Sequence, residues 1–144
     1  MKKLVLLLFI VVAFVCCDVR RKDIVADGTA TKAELAAKNS TTVQIIDSLY
    51  NFGSITEGEK VTYNFRFINS GKNPLIVTNT SASCGCTVPE KPEQPVLPGE
   101  TAFIKVVFNS KGKVGHNEKT ITVASNANPA FPTLFLKGEV TEVK

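Results

Sequence analysis

The feature that most constrains this chain is a period-two alternation of apolar and polar residues that begins near Thr42 and continues to about Val140. Val61-Thr62-Tyr63-Asn64-Phe65-Arg66-Phe67 is its clearest stretch, with Val61, Tyr63, Phe65 and Phe67 on one face and polar residues on the other. Successive side chains of a strand point to opposite faces, so this pattern predicts a half-buried strand. Ala102 to Phe108 repeats it, with Ala102, Ile104, Val106 and Phe108 sharing a face. Thr120 to Ala124 turns Ile121 and Val123 inward, and Thr133 to Val140 does the same with Leu134, Leu136 and Val140. Val43, Ile45 and then Leu49 to Gly53 continue the edge of the sheet, and Leu75 to Thr78 starts a further strand.

Turn chemistry separates these runs. Glu57-Gly58-Glu59, Asn69 to Pro74, Gly99-Glu100, Lys111 to His116 and Asn126 to Pro132 are each turns or loops. Pro89, Pro92, Pro95 and Pro98 exclude a central strand between the cysteines and Gly99. About seven short strands with no convincing helix predict an all-β, immunoglobulin-like antiparallel β-sandwich. A chain of 144 residues has room for one such domain. Nine phenylalanines and no tryptophan, with abundant valine and threonine, suit strands.

The region before the alternation has a different character. Met1-Lys2-Lys3 followed by the apolar run Leu4 to Val15 reads as a signal peptide over residues 1–16. The run is shorter than the roughly 20 residues a transmembrane helix needs. It ends in Cys16-Cys17, and here the segment resembles a bacterial lipoprotein signal, in which the cysteine at the cut carries the lipid. Cys17 is the preferred acceptor, because Cys16 before it is small. Cys16 is the less favoured alternative, because it would place the bulky Val15 at the cut. Residues 17–41 are polar and lack aromatic side chains, as a lipid-anchored flexible tether would be. The sandwich domain is then expected over residues 42–144, in the cell envelope. Seventeen basic residues face 13 acidic ones, but Lys2 and Lys3 lie in the leader, so no basic excess calls for nucleic acid.

The strands carry a recognisable set of residues: Tyr50-x-Phe52-Gly53-x-Ile55-x-x-Gly58, Phe65-x-Phe67-x-Asn69-x-Gly71, Pro74-Leu75 and Ser83-Cys84-Gly85-Cys86-Thr87. Pro98-Gly99, Ile104-x-Val106-x-Phe108, Gly112-x-x-Gly115 and Gly138 continue it. Together they resemble the bacterial family called domain of unknown function 1573, related to immunoglobulin-like modules of the ASPM/SPD-2/Hydin type. The resemblance spans Val43 to Val140. It implies a secreted or lipid-anchored β-sandwich, and it supplies no catalytic residues or cofactor.

Cys84 and Cys86 are the candidate site, with three readings open. In a straight strand residues i and i+2 lie about 6.6–6.8 Å apart, the far edge of disulfide reach, so a bridge requires a turn at Gly85. A structural disulfide is the preferred reading, since exported cysteines are most often bridged. A strained, exposed bridge would instead be easily reduced and redox-active. Two thiolates could also take Cu(I), whereas a closed zinc site lacks its remaining ligands. His116 reads as a solvated turn residue without triad partners. Glu57 with Glu59, and Glu90 with Glu93, read as solvated turn acids rather than a glycosidase pair. Asp47-Ser48-Leu49 resembles an O-glycosylation acceptor, and Asn39-Ser40-Thr41 and Asn79-Thr80-Ser81 fit the N-glycosylation pattern without meaning in a bacterial lipoprotein. The expected function is a non-enzymatic envelope lipoprotein whose domain binds another protein or a glycan. The alternative is a thiol-redox or Cu(I)-handling protein acting through Cys84 and Cys86.

Overall fold

The computed structural model describes residues 39–144. The signal peptide, Cys16, Cys17 and the tether as far as Lys38 lie outside the described residues. Eight strands follow in order: β1 (Val43–Ile45), β2 (Leu49–Thr56), β3 (Lys60–Asn69), β4 (Val77–Ala82), β5 (Thr87–Glu90), β6 (Thr101–Asn109), β7 (Gly115–Ser125) and β8 (Leu134–Thr141). They form two four-stranded sheets, ordered β1-β3-β6-β5 and β2-β8-β7-β4. The fold is the expected all-β, immunoglobulin-like sandwich.

The alternation explains how the sheets face each other. Phe65 and Phe67 of β3, Ile104, Val106 and Phe108 of β6, Ile121 and Val123 of β7, and Leu134, Leu136 and Val140 of β8 are buried between them. Loops add the rest. Leu75 and Val96 exchange backbone hydrogen bonds of 2.9 Å in both directions and are both buried. Phe131, from the loop after β7, packs edge-on against Phe67 with ring centroids 5.2 Å apart. Val96 lies among the prolines and Phe131 beside one, so neither shows periodicity.

Three local expectations change. The first edge is one stretch that switches sheets: β1 pairs antiparallel with β3, and after Asp47 the chain crosses to pair β2 in parallel with β8. Thr87–Glu90 forms β5 despite Pro89, because it is an edge strand paired only with β6. β7 begins at Gly115, so His116 lies on a strand and not in a turn. Its position opposite Glu139 of β8 extends the ladder beyond the apolar residues that mark it in the sequence.

The domain also starts earlier than its pattern. Asn39 to Thr41 fall within the stretch assigned to the tether, yet Thr41 is 4% exposed and its hydroxyl donates to Asn69 Oδ1 at 2.9 Å. Polar residues are held here by hydrogen bonds, which an apolar pattern does not register.

Most loops between the described strands gather at one of two ends. One end gathers Asn39–Thr42, the Asn69–Pro74 turn, the loop around Pro98 and the Asn126–Pro132 loop; it is the asparagine end. The opposite, cysteine end gathers the Glu57–Glu59 turn, Ser83–Cys86 and the Lys111–Val114 turn. At the asparagine end Asn69 is fully buried, and its Nδ2 donates to the carbonyls of Asn73 and Val96, both at 2.8 Å. Its Oδ1 also accepts from the Gly71 amide. Asn126 does similar work, donating to the carbonyls of Asn39 and Pro74 and accepting from the Ile76 amide. Gly71 has no room for a side chain, because a Cβ there would meet Thr41 Oγ1. Gly138 is likewise covered by the Phe52 ring.

Candidate functional site

The site is built where β4 hands over to β5. Pairing of β4 with β7 runs one residue past Ala82: the Ser83 amide donates to the Thr120 carbonyl at 3.0 Å, and the Thr120 amide donates to Ser83 Oγ at 3.2 Å. The chain then turns. The Thr87 amide donates to the Cys84 carbonyl, and the Asn109 amide to the Cys86 carbonyl at 2.9 Å, which starts the pairing of β5 with β6. The turn at Gly85 draws the Cα atoms of Cys84 and Cys86 to 5.3 Å, inside disulfide reach, and their sulfurs are bonded.

Both cysteines are half-buried, and Cys86 packs against the core. Thr87 is buried at 3% exposure, with its Oγ1 3.6 Å from Cys84 Sγ and 3.9 Å from Cys86 Sγ. A hollow of about 270 Å³ opens beside the pair, lined by Lys60, Gly85, Cys86, Val88, Val107 and Lys111 among others. Cys84 is not part of that lining. Val88 and Val107 face each other across the β5–β6 ladder on the outer face, which makes the floor of the hollow apolar and its rim basic.

A second lysine feature lies on the inner side of this end. Lys119 occupies an inward position of β7, two residues from the buried Ile121, and its Nζ sits 5.6 Å from the Phe108 ring centroid. Burial lowers its pKa from the ordinary lysine value, and the nearby Lys113 charge pushes the same way. A cation over an aromatic face is an attractive arrangement.

The other sequence candidates are dispersed. His116 is largely exposed on β7, with Nδ1 3.8 Å from a carboxylate oxygen of Glu139. Glu57 accepts the Gly112 amide and Glu59 the Thr56 amide, both at 2.8 Å, so they hold turns. Glu90 pairs with Lys105 at 3.1 Å on the exposed face. Asp47, at the sheet-switching point, takes the Arg66 guanidinium at 2.7 Å, and this hydrogen bond holds its carboxyl below the usual aspartate value. Burial raises the Tyr63 phenol, helped by the Asp47 charge. Among the described residues no group of three or more His, Cys, Asp or Glu side chains is placed to hold a metal ion.

Sequence reasoning singled out the cysteines and missed Thr87, Lys119, Asn69 and Asn126. Asn69 and Thr87 were visible as positions of the family pattern, but their roles depend on residues distant in sequence. Lys119 had a signal, a charge at an inward position of an alternating run.

The fold and its ends define an immunoglobulin-like β-sandwich module. The chain belongs to the family described as protein of unknown function, DUF1573, whose model matches residues 43–140. No curated protein matches the chain in sequence. Among solved structures it is similar to a protein of unknown function from Porphyromonas gingivalis W83, with a TM-score of 0.63 and 14% identity over 72% of this chain and 48% of that one. It is also similar to the ASH/PapD-like domain 7 of human CEP192, with a TM-score of 0.56 and 13% identity over 73% of this chain and 89% of that domain. A third similarity is to part of the secreted serine protease VesC of Vibrio cholerae, with a TM-score of 0.53 and 12% identity over 74% of this chain and 24% of the protease. The chain therefore spans less than half of the Porphyromonas protein and about a quarter of the protease. At these identities the likenesses establish the fold alone.

Proposed function

We propose that this chain is a non-enzymatic module of the bacterial cell envelope, tethered by a lipid on Cys17, whose cysteine end engages an envelope protein. The observation that carries this reading is polarity of the fold. Asn39 and Thr41, among the first described residues, lie at the asparagine end, so a lipid tether leading to them would bring that end nearer the membrane than the cysteine end. Two or three acyl chains on one cysteine hold a protein firmly to a bilayer, where one does not.

The sheet edges support engagement through an end rather than through strand addition. An open edge recruits another strand unless it is short, bulged or carries proline. Here β1 has three residues, β2 shifts register between Asn51 and Gly53, β4 shifts between Val77 and Asn79, and β5 carries Pro89. The hollow beside Cys86 offers instead an apolar floor with basic groups at its rim. Glu57 and Glu59 accept backbone amides at their turns, which favours a binding role over acid–base chemistry for them.

Two experiments test the reading. Changing Cys17→Ala is expected to move most of the protein from the membrane to the soluble fraction, while Cys16→Ala leaves it membrane-bound. Membrane retention of both variants contradicts the anchor. A photo-reactive residue at Val88, on the hollow, is expected to give a defined cross-linked partner in cells, and one at Gln94, at the other end, is not. Cross-linking from Gln94 alone contradicts the assignment of the cysteine end.

A further inference from the structure

We propose that the Cys84–Cys86 disulfide is a thiol–disulfide exchange site, attacked at Cys86 by a cysteine thiol of a partner polypeptide and opened toward Cys84. The inference stands on the chemistry of the cysteine end and does not depend on the lipid anchor.

The bond contributes little to holding the chain. Its sequence separation is two, so it closes one of the smallest rings a polypeptide can make. The stabilisation a disulfide gives through the unfolded state grows with the length of the loop it closes. The turn is also fixed without it. The Ser83 amide to Thr120, the Thr87 amide to the Cys84 carbonyl and the Asn109 amide to the Cys86 carbonyl tie both flanks to their neighbours. None of these hydrogen bonds uses a sulfur atom, so opening the bond removes no donor or acceptor from them.

The surroundings favour an incoming thiolate and a leaving thiolate at different sulfurs. Cys86 lines the hollow and Cys84 does not. Lys60 and Lys111, at the rim, attract a negatively charged attacking sulfur and favour its ionised form. Val88 and Val107 supply an apolar floor for the polypeptide that carries it. Thr87 is buried, and its Oγ1 lies 3.6 Å from Cys84 Sγ and 3.9 Å from Cys86 Sγ. A hydroxyl is a weak partner for a bonded sulfur and a much better one for a thiolate, because hydrogen bonds to charged acceptors are the stronger class.

The step balances without an outside reagent. A partner thiolate attacks Cys86 Sγ; its sulfur bonds to Cys86, the Cys84–Cys86 bond breaks, and the electron pair goes to Cys84 Sγ. That thiolate accepts the Thr87 hydroxyl proton in a hydrogen bond. A second thiolate of the partner then attacks the partner's own sulfur in the mixed disulfide. The partner leaves oxidised, with a new disulfide, and Cys86 takes the second electron pair; both sulfurs of this chain take protons from water. Two thiols are oxidised and one disulfide is reduced.

The test uses the full chain in mixtures of reduced and oxidised glutathione, quenched by alkylation, with mass spectrometry on the peptide that spans Cys84 and Cys86. Reading that peptide separates the pair from Cys16 and Cys17. The pair is expected to open at millimolar reduced glutathione while the circular dichroism of the sandwich is unchanged. With reduced glutathione acting on the intact disulfide, the mixed disulfide trapped by alkylation is expected to carry glutathione on Cys86 and the alkyl group on Cys84. Thr87→Val is expected to slow opening about tenfold, and Thr87→Ser to restore it. Because Thr87 is buried, the exposed pair Lys60→Gln and Lys111→Gln provides a second variant, expected to slow opening several-fold at low salt with no loss of folding. A pair that opens only when urea unfolds the domain overturns the proposal. So does adduct formation that favours Cys84 over Cys86.

Discussion

At the asparagine end, two buried side chains hold together segments that lie far apart in sequence; at the cysteine end, the covalent bond joins residues only two apart, and the longer-range ties run through Ser110 and Glu57 instead. Asn69 bonds to groups 27 and 28 residues away, and Asn126 to groups 50, 52 and 87 residues away. Cys84 and Cys86 are separated by two. A disulfide that closes so short a loop constrains the unfolded chain little, whereas a buried asparagine stabilises the fold by satisfying several backbone groups that folding removes from water. The buried asparagines are therefore expected to matter more to the fold than the covalent bond, because each satisfies several buried groups at once. That inversion leaves the disulfide free for chemistry.

Changes of decreasing size sharpen the contrast. Phe65→Ala removes a ring shared by both halves of the core and is expected to cost about 3–5 kcal/mol in urea unfolding. Asn69→Ala leaves the Asn73 and Val96 carbonyls, the Gly71 amide and the Thr41 hydroxyl without this partner. It is expected to cost about 3–4 kcal/mol, because each buried group left unsatisfied is expensive. A loss below that of the cysteine variant would break the comparison. Replacing both Cys84 and Cys86 by serine is expected to cost under about 2 kcal/mol, the scale that loop closure sets for so small a ring.

The smallest effect belongs to neither end. Arg66→Ala breaks the exposed pair with Asp47, which solvent screens, so the smallest shift of the urea midpoint in this series is expected. Its sign with pH is defined. The folded Asp47 value is depressed, so its contribution is present above the unfolded value and lost as pH falls through the folded one. Acid titration of Asp47→Asn is expected to lack that loss below about pH 4.

The sequence made the sandwich legible because apolar alternation is a local signal. Phe65, Ile104, Val106, Phe108, Ile121, Leu134 and Leu136 are all inward as their spacing predicts. The strand count was less legible where pairing, not patterning, decides. β5 reads as a proline loop until its pairing with β6 is known, and the switch at Asp47 depends on which sheet offers a partner. The site was half legible. Cys84-Gly85-Cys86 announces itself, but the hydroxyl of Thr87 matters only through its distance to two sulfurs. Asn69 and Asn126 were illegible for a stronger reason: polar residues in turns are common, and only long-range contacts distinguish a buried one.

The most direct test is urea unfolding of the full chain with and without a dithiol reductant, beside Asn69→Ala oxidised. With the Cys84–Cys86 bond opened, the domain is expected to stay folded in water and lose under about 2 kcal/mol, less than the asparagine variant loses with its disulfide intact. A reduced chain that unfolds in water, or loses more than Asn69→Ala, would show that the bond is a fastener of the fold and contradict its assignment as an exchange site.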